Sequence, residues 1–131
     1  MPFVFKNVDQ LQHQQKAGDG GCAALIKKYI PALAEVHTSR WRAGELVVDV
    51  NHLPRGTAIA TFVNGRYPGL KTGNHAALYI ATAGAGFHAM EQFLAKRRIG
   101  RRRIEPGHTT RAAVLFTSLS DSAQAFHVIE L

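Results

Sequence analysis

One segment of this chain carries its apolar residues at helical spacing, and the chain beyond it reads as short strands. Cys22, Leu25, Ile26, Tyr29 and Ile30 fall at i, i+3, i+4, i+7 and i+8, the stripe of an amphipathic helix. Lys27 and Lys28 lie off that stripe near its C-terminal end, where cations suit the helix dipole. Pro31 stops or kinks the helix, and Asp19 is the expected N-cap. After a loop region around His37 to Arg42 and Gly44, residues 57–63 are rich in β-branched side chains and predict a strand. Further strands are predicted at 75–82, 87–93, 111–117 and 126–131, with a short basic one at 99–104. One helix followed by closely spaced strands, with no further long helices, predicts an antiparallel α+β domain. Residues 1–17 show no clear period and predict a short helix or a segment wrapped on the core.

The 131 residues suit one domain, residues 1–131, with enough chain to bury a core unaided. A hydrophobic share of 46% with 19% charged residues excludes a disordered chain. The lone cysteine cannot form an internal disulfide. Met1 to Lys6 show no basic segment leading into an apolar one, so a soluble cytoplasmic protein without a signal peptide is expected. No apolar run approaches membrane-spanning length, and no membrane insertion is expected.

The net charge of +7 is concentrated in one place. Lys96, Arg97, Arg98, Arg101, Arg102 and Arg103 supply six of the 16 basic residues; setting them aside leaves 10 against 9 acidic ones. This basic patch suits phosphates, acidic proteins or anionic polymers, or else keeps a sheet edge from pairing with other chains.

Cys22 stands in Gly18-Asp19-Gly20-Gly21-Cys22, at the first turn of the predicted helix. There the helix dipole and free N–H groups favour a thiolate, although a buried packing role is the alternative for any free cysteine. His75 stands 53 positions later, at the mouth of an apolar strand, and is the best base for that thiol. The long connection 64–74 leads directly into it, and loops of that length are often functional. Glu91, on the following predicted strand, is the candidate to orient His75; Gln92, His88 and a backbone carbonyl are its competitors. Alternation points Gln92 to the opposite face from Glu91. With one cysteine and no helical histidine pair, no metal site is expected.

Gly20-Gly21-Cys22 opening a helix, Gly56 to Phe62 as a core strand, Asn74 to Ile80, and then Met90-Glu91-Gln92-Phe93 occur in an order that resembles papain-like amidases of the CHAP kind. These are the cysteine- and histidine-dependent amidohydrolases/peptidases that cut peptidoglycan. The chain is also similar to small amidase-like proteins of Gram-negative bacteria related to type VI secretion amidase effectors. The resemblance covers about Gly18 to Phe93. CHAP domains usually place Gln before the cysteine, where this chain has Gly21, and often Asn after Glu-Gln, where it has Phe93.

The resemblance implies a papain-like core, with a helix carrying the cysteine packed on an antiparallel sheet of five or six strands. It implies a cysteine amidase or peptidase that hydrolyses an amide in peptidoglycan peptide stems through Cys22, His75 and Glu91 and a thioester. Backbone groups at Gly21 and Cys22 would hold the oxyanion, Tyr67 and Asn74 would line the cleft, and no cofactor is needed. The substrate would be peptidoglycan or a peptide, an acidic immunity-type protein would be a partner, and a secretion system would deliver the enzyme to the periplasm. Two other classes fit the residues. One is a non-catalytic module using the basic patch for an anionic polymer, nucleic acid or acidic protein. The other is a cysteine protease or deamidase acting on proteins. Nucleic acid is the weakest of these partners, because the basic run lacks interleaved aromatics and motif signatures.

Overall fold

A computed structural model describes residues 2–69, 73–107 and 119–131. The helical stripe forms α1, Cys22–Tyr29, and Pro31 opens a separate 3-10 turn over Pro31–Leu33. The strands are β1 Arg42–Leu46, β2 Ala58–Thr61, β3 Ala76–Ala83, β4 Gly86–Glu91, β5 Gly100–Ile104 and β6 Phe126–Glu130. They make a six-stranded sheet in the order β1-β6-β2-β3-β4-β5, antiparallel at every pairing. The α+β, papain-like expectation holds in both the sheet and the helix packed on it.

The four residues of β2 and the first five of β3 are buried, because both faces of the sheet are covered. Ala76, Leu78 and Ile80 point towards α1, where they pack with Leu25, Ile26 and Trp41. Their alternating neighbours Ala77 and Tyr79 join Ile59, Phe87 and Phe126 on the opposite face, beneath Val47 and Ala123. A bulge at Ile80 shifts the register between β3 and β4, from Tyr79↔Ala89 to Ala81↔His88.

The polar lead-in holds both predicted features. Val8–Leu11 is a short 3-10 turn with Val8 and Leu11 buried. Ahead of it the chain lies along β2: Phe5 N–H donates to the Gly56 carbonyl at 2.9 Å, and Ala58 N–H to the Phe3 carbonyl at 2.8 Å. Gly56 has φ +89°, and a Cβ there would lie 1.8 Å from the Phe5 carbonyl oxygen, so the close approach requires glycine.

The segment around Arg42 and Gly44, expected as loop, contains β1. Arg42-Ala43-Gly44-Glu45-Leu46 lies at the sheet edge, half buried, and so shows neither clean alternation nor an apolar run. The strand predicted at 111–117 lies outside the described residues. The N-cap of α1 is Gly21 rather than Asp19. Asp19 stands two residues earlier and accepts from Gly21 N–H at 2.8 Å, an Asx-type turn that aims the chain into the helix.

Candidate active site

Cys22 is the first residue of α1, so its N–H has no intrahelical acceptor and points out of the helix start. What fixes this corner is Gln92, just beyond β4. Its Oε1 accepts from Ala17 N–H at 2.7 Å, while Nε2 donates to the carbonyls of Ala17 at 3.0 Å and Gly21 at 2.7 Å. A fully buried amide with three hydrogen bonds thus rivets the turn before Cys22 to the sheet. Alternation assigns Gln92 to the side away from Glu91. Its function as a clamp escapes a reading of spacing, because the partner is backbone 75 positions away.

His75 sits immediately before β3. Its backbone N–H donates to Thr61 Oγ1 at 3.0 Å, and its carbonyl accepts from Thr61 N–H at 2.9 Å. The ring stands edge-on between Phe93 and Phe126, each at 6.3 Å. Nε2 lies 2.8 Å from Glu91 Oε1, which leaves Nδ1 as the ring nitrogen for the thiol, and the imidazole and Cys22 are near enough to shift each other's ionisation.

Glu91 is fully buried, and a lone carboxylate there would carry a prohibitive desolvation cost. Arg102 compensates it. Across the β4–β5 ladder Gly100 faces Glu91 and Arg102 faces Ala89, so Arg102 is the diagonal neighbour on the same face. Its Nε lies 2.9 and 3.0 Å from the two Glu91 oxygens. The guanidinium's other nitrogens donate to Asp121 Oδ1 and the Ser120 carbonyl, both at 2.8 Å. Lys96 Nζ stands 3.8 Å from Glu91 Oε2.

The charges interlock. Burial pushes the Cys22 thiol up, but the hydrogen bond and charge of His75, the Tyr67 hydroxyl and the Ala76 N–H outweigh it and leave the thiol below its usual value. Burial pulls His75 down; its contacts with Cys22 and Glu91 prevail and raise it from 6.5 to about 8. Burial likewise opposes ionised Glu91, yet His75 and then Arg102 hold it below the usual carboxylate range. The row therefore biases the thiol towards thiolate, the imidazole towards imidazolium and the carboxyl towards carboxylate, each relative to the isolated side chain.

Two grooves meet at Cys22. One, about 590 Å³, runs past Gly73, Asn74 and His75 to Phe93, Leu94, Arg102 and Asp121. The other, about 540 Å³, passes Tyr67 and Asn74 towards Asp19, Lys27 and Thr38. Residues 4–129 match the family model described as domesticated amidase effector 2. The chain belongs to the domesticated amidase effector 2 family. A type VI secretion amidase effector 2 protein of Salmonella typhi is 35% identical over 99% of this chain and 100% of its own length. A solved structure titled type 6 secretion amidase effector 2 (Tae2) superposes with a TM-score of 0.86, again at 35% identity, covering 100% of this chain and 96% of that one.

In this member of the amidase effector 2 family, the basic run does not act as one surface. Arg102 turns inward to Glu91, and Lys96 lies over the Phe93 ring beside the same carboxylate. Arg103 reaches the Ala83 carbonyl and pairs with Glu105. Arg97 and Arg98 line a separate shallow depression with Gln15 and Lys16. Arg101 and Arg103 are exposed on β5, an edge strand. The strand alternation of 100–104 is what divides the run, and its charge alone conceals that division. Among the described residues, no group of three or more His, Cys, Asp or Glu side chains is gathered as a metal site. No described helix is long and apolar enough to cross a membrane.

Proposed function

We propose that this chain is a cysteine amidase that hydrolyses an amide bond in the peptide stems of peptidoglycan, with residues 1–131 acting as one catalytic domain. The observation that carries the reading is the His75 ring, held between the Cys22 thiol and the buried Glu91 carboxylate where two grooves meet. Kinship with proteins named as amidase effectors supports the reaction class.

The Cys22 sulfur bonds to the substrate carbonyl carbon, and the C=O π pair moves onto oxygen, facing the Cys22 N–H at the start of α1. The oxyanion collapses, the C–N bond breaks, and the leaving amine takes the proton from His75. A thioester remains. His75, now neutral, accepts a proton from water as its oxygen attacks the thioester, and the thiolate departs to restore the starting ion pair. Glu91 keeps the imidazole oriented and stabilises its charged form, while Arg102 allows that carboxylate to stay ionised out of water.

Such a substrate lies outside the cytoplasm, so the reading includes delivery to the periplasm by a secretion system and an acidic immunity-type partner that covers the cleft. The test is mass analysis of fragments from purified sacculi. The wild type should release new amine and carboxyl termini at one stem position, and Cys22→Ala should release none. Intact sacculi, with cleavage instead of a folded protein or deamidation of its glutamines, would replace peptidoglycan by a protein substrate.

A further inference from the structure

Gly21 offers the nucleophile no side-chain donor, yet one stands across the groove. Val63 and Arg66 close a tight turn by exchanging backbone hydrogen bonds at 2.9 and 3.0 Å, with Asn64 at φ 51° and Gly65 at φ 78°. That two-residue turn delivers Tyr67, whose ring is set edge-on against Trp41 at 5.1 Å and Phe62 at 6.5 Å. The Tyr67 hydroxyl lies 3.6 Å from Cys22 Sγ. It also accepts a hydrogen bond from Asn74 Nδ2 at 3.1 Å. Once Cys22 is ionised the sulfur can only accept, so the hydroxyl proton is directed at it while the Asn74 amide occupies an acceptor position of the oxygen. Burial and then the adjacent Cys22 charge both raise the phenol above its usual value, so it remains a donor at working pH.

We propose that the Tyr67 hydroxyl is the side-chain member of the oxyanion hole, complementing the Cys22 N–H, and that Asn74 positions it. This rests on Cys22 being the nucleophile of the proposed function. As the S–C bond forms, negative charge leaves sulfur and appears on the oxygen of the newly bonded carbon. A donor already in contact with sulfur lies close enough to meet that oxygen at the roughly 2.7–3.1 Å that oxyanion holes require. The same O–H thus stabilises the thiolate first and the oxyanion afterwards, with no group recruited from solvent.

The distinguishing experiment compares two reactions of the same thiol. Iodoacetamide alkylates a thiolate without forming an oxyanion; p-nitrophenyl acetate acylates it through one and needs no protonated leaving group. Tyr67→Phe keeps the ring packing and should acylate about 100-fold more slowly. Its alkylation rate, taken at a pH where the thiol is ionised in both proteins, should stay within about twofold, as oxyanion stabilisation plays no part there. Asn74→Asp should show the same split, because a carboxylate would take the hydroxyl proton for itself. Thermal melting of both variants checks that they are folded. If acylation and alkylation fall together, or if neither falls, Tyr67 is not an oxyanion donor. If Tyr67→Phe shows the split and Asn74→Asp does not, the positioning role of Asn74 is overturned. A wild type that is acylated by the ester yet leaves sacculi intact rejects the peptidoglycan reading, and the Tyr67 comparison still decides.

Discussion

At the residue scale, His75 governs how this site responds to pH. Its value is raised from 6.5 to about 8, so the imidazolium's contribution is complete below 6.5 and is lost as pH rises through 8. In the proposed reaction acylation needs that proton for the leaving amine, so kcat/KM should fall on an alkaline limb near pH 8. Glu91→Gln removes one of the contacts that raise His75, and the alkaline limb should move to lower pH together with at least a tenfold loss of kcat, on the order of a general acid–base contribution. A limb that stays in place in Glu91→Gln would separate Glu91 from the imidazole's chemistry. Glu91 itself lies below the usual value of 4.5, so its stabilising contribution is present above that value and disappears as pH falls through the lowered one. Denaturant midpoints across that range should therefore decline less steeply with acidification in Glu91→Gln than in the wild type.

At the element scale, the joint between α1 and β4 is a side-chain amide rather than a strand ladder. Gln92→Leu preserves bulk but leaves the Ala17 N–H and the carbonyls of Ala17 and Gly21 without that partner. The expected cost is about 3 kcal/mol from desolvated, unpaired backbone groups, measured by urea denaturation. A loss of ester acylation should accompany it, because the turn that aims Cys22 is no longer held. Much of this architecture is legible in local pattern. The helical period from Cys22, the stop at Pro31 and the β-branched run at 57–63 each depend on neighbours a few residues apart. The sequence also draws attention to Cys22, His75 and Glu91, through a helix start, a strand mouth and a place on the strand that follows. Arg102 is not legible in this way. Within six closely spaced cations it looks solvated, and only the β4–β5 register reveals that it lies diagonal to Glu91. β1 escapes for a related reason, since an edge strand with Arg42, Gly44 and Glu45 pairs through its backbone and leaves little trace in side-chain pattern. The capping role of Asp19 fails by two residues, because two glycines let the chain bend between the carboxylate and the helix.

At the scale of the whole molecule, the strand order has a kinetic consequence. β6 is the last of the described strands in sequence, yet it lies between β1 and β2, pairing Ile59 with Val128 and Ala43 with Ile129. Until it arrives, β1 has only its short bridge to the turn at Gly65 and Arg66, and β2 exposes one edge of a ladder. Closing those contacts spans most of the chain, and such non-local closure slows folding to about the millisecond-to-second range. Phe126, at the head of β6, also forms one wall of the His75 ring. Pulse-labelling with iodoacetamide during refolding should accordingly show accelerated Cys22 alkylation only in the phase that docks β6, whereas enhanced reactivity in an earlier phase would show the thiol being activated by α1 alone. On the proposed reading the nucleophile is armed late: a chain still assembling would carry an ordinary thiol, and reactivity would be a property of the finished sheet.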